Sequence, residues 1–331
     1  MESVEVLVEV VRSGFVEGRH RGSVIALAAD GSVDWSIGDA DGPFLPRSCN
    51  KPIQALALLR AGWDPVDERH LALACASHSG EEFHLAGVRE ILTGAGLDES
   101  ALQTPPDWPL DEAVRDGLVR AGGEREPVLM NCSGKHAAMV ALCVQRGWDI
   151  ATYRNPDHPL QQLVTETFVD LTGEPVPHVA VDGCGLPLLA TSLRALARAF
   201  RTLATATDGP EQRVAEAIRA HPAYVSGSTR DELQLLEAVP GAIGKSGAEA
   251  SQVFALPDGR VWALKVEDGG GRARPIVMAA ALERSGLTDE VAVAAEVIQA
   301  TGRLALHGGG QVVGSLERAA ALVSEARRAT W

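Results

Sequence analysis

Residues 250–266 read Ala-Ser-Gln-Val-Phe-Ala-Leu-Pro-Asp-Gly-Arg-Val-Trp-Ala-Leu-Lys-Val. Two β-rich runs, 250–256 and 260–266, flank Pro257-Asp258-Gly259, whose residue types favour a tight reversal between strands. The other end of the chain matches: 4–11 and 20–29 are β-rich, and Asp30-Gly31 turns into Ser32-Val33-Asp34-Trp35. Between these ends the pattern is helical. Pro52 to Arg60 is a helix that Gly62 can end, and Ser79 with Glu82 forms a capping box opening a helix through about Leu92. Gly134 to Arg146 is a third helix closed by Gly147, residues 187–203 carry apolar positions at helical spacing, and Pro275 starts a helix through Arg284. The pattern predicts an α+β fold, not alternating βαβ units. One antiparallel sheet is built from about 1–45 and 240–331, a helical part of about 46–239 is inserted, and 1–331 forms a single unit.

Charge and composition narrow the partners. The 331 residues include 30 Lys plus Arg against 44 Asp plus Glu, a formal net charge of −14. That field repels nucleic acid, which is held by phosphate neutralisation on a basic face. Hydrophobic residues at 46% and charged residues at 22% are those of a globular chain with ample core. The apolar runs are broken by Arg, Asp or Gly well short of the roughly 18 to 20 residues a membrane span needs, so no membrane partner is expected. The start, Met1-Glu2-Ser3-Val4-Glu5, is acidic where a secretory signal is basic and then apolar, which reads as cytoplasmic. Five cysteines, an odd number, fit reduced thiols better than a disulfide framework.

Four segments carry chemistry. In Ser48-Cys49-Asn50-Lys51-Pro52 the serine and lysine lie one helical turn apart, so an uncharged amine can accept the serine proton. An N-capping serine with a solvated lysine accounts equally well for that segment alone. Ala74-Cys75-Ala76-Ser77-His78-Ser79-Gly80-Glu81 runs from apolar into small polar residues. There Ser77 has no evident structural task, and His78 and Glu81 suit a substrate amine or carboxylate; a surface turn is the competing reading. Asn131-Cys132-Ser133-Gly134-Lys135-His136 and Asp182-Gly183-Cys184-Gly185 can bring two thiolates together, although spacing alone also permits two structural cysteines. Gly244-Lys245-Ser246-Gly247 has the Lys-Ser/Thr-Gly form that penicillin-recognising acyl-transfer enzymes place beside a Ser-x-x-Lys serine, and the two patterns occur here in the same chain order. Their joint presence favours an enzyme.

Together, residues 48–56, 76–81, 131–139, 182–187 and 245–249 resemble the L-asparaginase II family, the class 3 asparaginases, over nearly the whole chain. The resemblance implies a serine β-lactamase-like fold, hydrolysis of L-asparagine to L-aspartate and ammonia, a homodimer, and two Ser–Lys tandems close to a zinc ion. Matched by motif, Ser48 with Lys51 is one tandem and Ser77 with Lys245 the other, with Lys265 a competitor for the second lysine. Cys132, Lys135 and Cys184 resemble the zinc ligands, with Asp182 beside them, and Arg47, His78, Glu81 and Asn131 are the substrate-binding candidates. Ser246 and Ala250 stand where members of the family often carry other small residues.

The Ser–Lys chemistry needs a neutral amine. Moving a lysine from about 10.4 to near 7 takes roughly 4 to 5 kcal/mol of discrimination against its charged form. Burial, a second lysine and a metal cation all act in that direction. Pocket size selects the amide, so a glutaminase or a penicillin-type acylase remains open, as does a catalytically silent zinc or amino-acid binding protein.

Overall fold

The computed structural model describes residues 4–323, so Met1 to Ser3 of the acidic start lie outside the described residues. Among the described residues the strands are β1 (Glu5–Arg12), β2 (Phe15–Leu27), β3 (Val33–Ile37), β4 (Val179–Val181), β5 (Pro187–Leu189), β6 (Ile243–Gly247), β7 (Ser251–Ala255), β8 (Val261–Val266), β9 (Leu304–Gly308) and β10 (Gln311–Arg318). The chain divides into two compact units, and the first holds 4–49, 191–205 and 234–323.

That first unit contains the sheet, with strand order β6-β7-β8-β2-β1-β10-β9 and β3 paired to β2. Every pairing is antiparallel, and β1 meets β10 from Val8 opposite Arg318 to Arg12 opposite Gly314. The sheet is therefore assembled from both ends of the chain, as expected. The long strand β2 serves three partners: its first part pairs with β1, and Gly22 to Leu27 pairs with β8 while Val24 to Leu27 also pairs with β3. Strands β7 and β8 are buried at nearly every position, which fits a sheet covered on both faces. Helices Leu193–Thr205 and Arg274–Arg284 both pack on β8.

The second unit holds 50–190 and 206–233 and is mainly helical. Helix Lys51–Arg60 is buried along its first eight residues, and helix Ser133–Arg146 along its first eleven, so each is enclosed around its circumference as an interior helix, with Lys51, Gln54, Lys135 and His136 among the buried side chains. Gly147, at φ 64°, closes the latter in the left-handed conformation that glycine adopts without a Cβ penalty.

Two local expectations are corrected. Ser79 does not cap the helix that follows: the N-cap of helix Glu82–Gly94 is Glu81, because Gly80 at φ 80° turns the chain, and Ser79 Oγ donates instead to Ser226 O at 3.0 Å. The run 187–203 is not one helix. Pro187–Leu189 pairs with β4, and helix Leu193–Thr205 begins after Ser192, whose Oγ accepts from Ala195 N–H at 3.0 Å. A short apolar run is read as strand or helix equally well by periodicity, and the capping serine marks the true start.

Two helix glycines should respond oppositely to alanine. At Gly117, exposed in helix Glu112–Arg120 with nothing within 4 Å, Gly117→Ala should stabilise by about 0.5 to 1 kcal/mol. At Gly134 a Cβ would lie 2.5 Å from Leu73 Cγ and 2.8 Å from Leu73 O, so Gly134→Ala should destabilise by about 1 to 3 kcal/mol. Denaturant midpoints of the two variants decide it, and a stabilising change at Gly134 would contradict the packing described.

Candidate active site

In the helical unit the first turn of helix Lys51–Arg60 carries Pro52, which fits there because a first-turn N–H has no intrahelical partner. Lys51 is fully buried, and its Nζ donates to Ala76 O at 2.6 Å and to Ser77 Oγ at 2.9 Å. Ser77 is delivered by the apolar run Leu71 to Ala76, wholly buried, which ends as helix Glu68–Ala74 stops. Both backbone groups of Ser77 are engaged: its N–H donates to Val225 O at 3.1 Å, and its carbonyl accepts from Arg230 Nη1 at 2.7 Å.

The neighbouring candidates sit in the same loop. His78 is fully buried, its N–H donates to Asn131 O at 3.1 Å, and its Nε2 lies 2.8 Å from Ser133 Oγ. Burial, then repulsion from His84 and from the Lys51 and Arg230 cations, holds His78 well below the ordinary imidazole range. Glu81 offers both carboxylate oxygens to Ser228, taking its N–H at 2.8 Å and its Oγ–H at 2.5 Å. Asn131 Oδ1 accepts from Cys132 Sγ at 3.3 Å.

Cys132, Lys135 and Cys184 also come together. Lys135 Nζ donates to Cys184 Sγ at 3.4 Å, the Asp182 carboxylate lies 3.8 Å from the same sulfur, and all three candidate ligands are buried. The mutual hydrogen bond of the two sulfurs pushes the Cys132 thiol up and pulls the Cys184 thiol down. Burial presses the Lys135 amine down, but the two sulfurs and Asp182 outweigh it and leave its proton affinity raised. No group of three His, Cys, Asp or Glu side chains suited to a metal is found among the described residues, so a third ligand here means Lys135 with its proton removed. Two sulfurs and an amine are donors that suit zinc.

The remaining candidates belong to the sheet unit. Ser48 lies in a 3₁₀ turn, Arg47–Asn50, and is buried. Cys49 Sγ donates to Lys245 O at 3.2 Å and lies 3.4 Å from Ser251 Oγ, which donates to Pro46 O at 2.9 Å. This buried chain of bonds ties the 46–49 segment to β6 and β7. A Cβ on Gly247 would stand 2.5 Å from Pro46 O, so only glycine permits that approach. Lys245 is fully buried and donates to Ser246 O at 3.1 Å. Its competitor Lys265 donates to Glu249 O at 2.7 Å and to Val266 O, at the turn where Glu249 and Ala250 both take positive φ. Arg47, itself at φ 51°, has Nη1 3.8 Å from Glu249 Oε1.

Two features escaped the sequence reading: Lys51 meets Ser77, and Arg230 holds the Ser77 carbonyl. The only local signal for the second was the small polar run Ser226-Gly227-Ser228-Thr229 ahead of a single arginine. The chain belongs to the L-asparaginase II family, whose model matches residues 8–318, and this membership makes it an amidohydrolase. No curated protein matches it significantly. Similar solved structures include the Bacillus subtilis glutaminase YbgJ in covalent complex with 5-oxo-L-norleucine (14% identity, covering 85% of this chain and 92% of that one, TM-score 0.41). A Bacillus glutaminase (11%, 80% and 91%, TM-score 0.41) and a Mycobacterium bovis β-lactamase (12%, 79% and 94%, TM-score 0.37) are also similar. Likeness at these scores is too loose to carry a mechanism. No helix among the described residues is long and apolar enough to cross a membrane.

The buried histidines predict acid lability. Burial brings His84 down to about 4, against a small opposing effect of its bond to Ala223 O, and its ring stacks 5.3 Å from His78. Between pH 6.5 and 4 the unfolded chain binds the His84 proton and the folded one does not, so stability is full above 6.5 and falls as pH drops towards 4. The loss should reach about 3 kcal/mol from His84 alone. Thermal melts across this range should show it, and His84→Gln should flatten the slope; an unchanged slope would refute the assignment.

Proposed function

We propose that the protein hydrolyses L-asparagine to L-aspartate and ammonia by Ser–Lys nucleophilic catalysis. The observation that carries this reading is the buried Lys51 amine 2.9 Å from Ser77 Oγ in a chain of the L-asparaginase II family. The family motif supplies Ser48 as nucleophile with Lys51, and Ser77 with Lys245 as the second tandem. The serine oxygen adds to the carboxamide carbon while its proton passes to a neutral lysine amine. The C–N bond then breaks and the same lysine returns the proton to the departing nitrogen, releasing ammonia. Water attacks the resulting ester, its proton moves through lysine to the serine oxygen, and aspartate leaves. Lys51 can do this and keep one donor on Ala76 O, so its position is held through the proton transfer. Backbone N–H groups near Ser48 receive the oxyanion.

Arg47 and Asn131 suit the substrate's charged and polar groups. His78 and Glu81, engaged by Ser133 and Ser228, serve by holding the 77–81 loop. Cys132, Cys184 and Lys135 would hold a zinc ion, with Asp182 beside it. When bound, that ion supplies positive charge that opposes protonation of nearby amines. The family resemblance further supports a homodimer, which sedimentation of the purified protein tests, and the odd number of cysteines suits a cytoplasmic protein.

A second reading makes Ser77 the nucleophile, favoured by its direct bond to Lys51. Ammonia release from asparagine, glutamine and a chromogenic β-lactam identifies the substrate. Ser48→Ala and Ser77→Ala should each lower kcat by about 10³-fold or more, and the serine acylated in rapidly quenched enzyme, read by mass spectrometry, names the nucleophile. Full activity in both variants would sink the proposal. For the metal, emission spectroscopy should find about one zinc per chain in the wild type and little in Cys184→Ser.

A further inference from the structure

Segment 225–230 makes an unbroken series of contacts with the loop that carries Ser77. Val225 O accepts from Ser77 N–H, and Ser226 O accepts from Ser79 Oγ at 3.0 Å. Ser228 occupies both oxygens of Glu81, and Thr229 Oγ1 donates to Asp111 Oδ2 at 2.8 Å, while Asp111 N–H donates to Ser79 O at 3.1 Å. At the end of the series Arg230 Nη1 donates to the Ser77 carbonyl at 2.7 Å. The fit is close: Gly227 takes φ 144°, and a Cβ there would lie 2.0 Å from Ser79 Oγ.

From this geometry we infer that Arg230 is a positioning residue for the reaction, fixing the Ser77 peptide so that Oγ stays on the Lys51 amine. The inference rests on the proposed Ser–Lys hydrolysis. A serine hydroxyl swings about its own Cα–Cβ bond, so its place relative to a buried amine is set by the peptide on either side. Here the N–H side is held by a neutral carbonyl and the C=O side by a cation, and a bond to a charged donor is about twice as strong as a neutral one. Arg230 is itself steadied, with Nη2 3.6 Å from the buried Glu232 carboxylate. A lysine in its place would keep one charged donor and lose the planar fork that serves Ser77 O and Glu232 together. Arg230 also borders a surface cleft of about 480 Å³ with Ser79, Asp111 and Thr229, so a small cation can enter from solvent.

The test is a set of Arg230 variants read by kinetics and by crystal structure. Arg230→Ala should lower kcat by about 100-fold with little change in KM, the cost typical of a reacting group displaced by about 1 Å. Arg230→Lys should recover part of the loss, and added guanidinium chloride at millimolar concentration should raise the rate of Arg230→Ala but not of wild type. A general loss of structure would show neither rescue. The crystal structure of Arg230→Ala should have Ser77 Oγ withdrawn from Lys51 Nζ, and if that variant does not fold, Arg230→Lys and Arg230→Gln carry the same measurement. A retained 2.9 Å separation with normal kcat overturns the inference. Should the wild type release no ammonia from any amide, the proposed function falls, and the Ser77–Lys51 separation in the variants still decides the role of Arg230.

Discussion

A lysine amine withdrawn from water is the constraint from which the rest of the helical unit follows. Lys51 has no exposure, so its Nζ must find acceptors inside, and it takes Ala76 O and Ser77 Oγ. Those acceptors are usable only if the chain leaves helix Glu68–Ala74 at Cys75 and presents residues 76 and 77 to the helix carrying Lys51. The apolar run that drives that placement, Leu71 to Ala76, is the same run that brings Ser77 out of the core. Burial energy in one segment thus fixes a polar contact in the next.

The sheet unit meets a parallel demand by other means. Lys245 is fully buried on β6, whose backbone is tied to the segment of Ser48 through Cys49, Ser251 and Pro46 O. None of these bonds is charged, and each is modest, on the order of 1 kcal/mol net. Their effect is geometric. Positive φ values at Arg47, Glu249 and Ala250 cost on the order of 1 to 3 kcal/mol each and persist because Lys265 and the strand pairing hold the turn. Unfavourable backbone at three non-glycine positions around one short segment is the pattern expected where position matters more than stability.

How much of this could be read from the sequence follows the range of each interaction. The hairpins about Asp30-Gly31 and Pro257-Asp258-Gly259 were legible because turn chemistry and β-rich composition are local, and so was the helix closed by Gly147. Ser79 misled because a serine three residues ahead of a glutamate satisfies the capping pattern, while the conformation of Gly80, which breaks it, carries no sequence signature beyond glycine itself. The residues of the site were legible as motifs, but their partners were not. Ser77 lies 26 residues from Lys51 and 153 from Arg230, and nothing local specifies which amine or guanidinium arrives.

The chain's choice of cation bears on the site independently of any hydrogen bond. Of its 30 basic residues only four are lysines: Lys51, Lys135, Lys245 and Lys265. Three of these have at most 2% exposure and the fourth is only partly exposed, while the surface ion pairs among the described residues are made by arginine or histidine. A guanidinium keeps its charge at any accessible pH, whereas an amine can be emptied of its proton by burial and like charge. If buried cations were wanted only for structure, arginine would serve better, since its planar fork satisfies more acceptors per charge and it is the less strongly hydrated ion. Three lysines in the interior, where Arg274 is also buried, therefore suit the Ser–Lys site proposed above, which needs a removable proton. Lys265 marks the boundary of that reasoning. Burial pulls its amine down against three nearby carboxylates, yet both its bonds go to backbone carbonyls at a strained turn, so its task is to hold geometry while the other three lysines face sulfur, hydroxyl and the Lys-Ser-Gly strand.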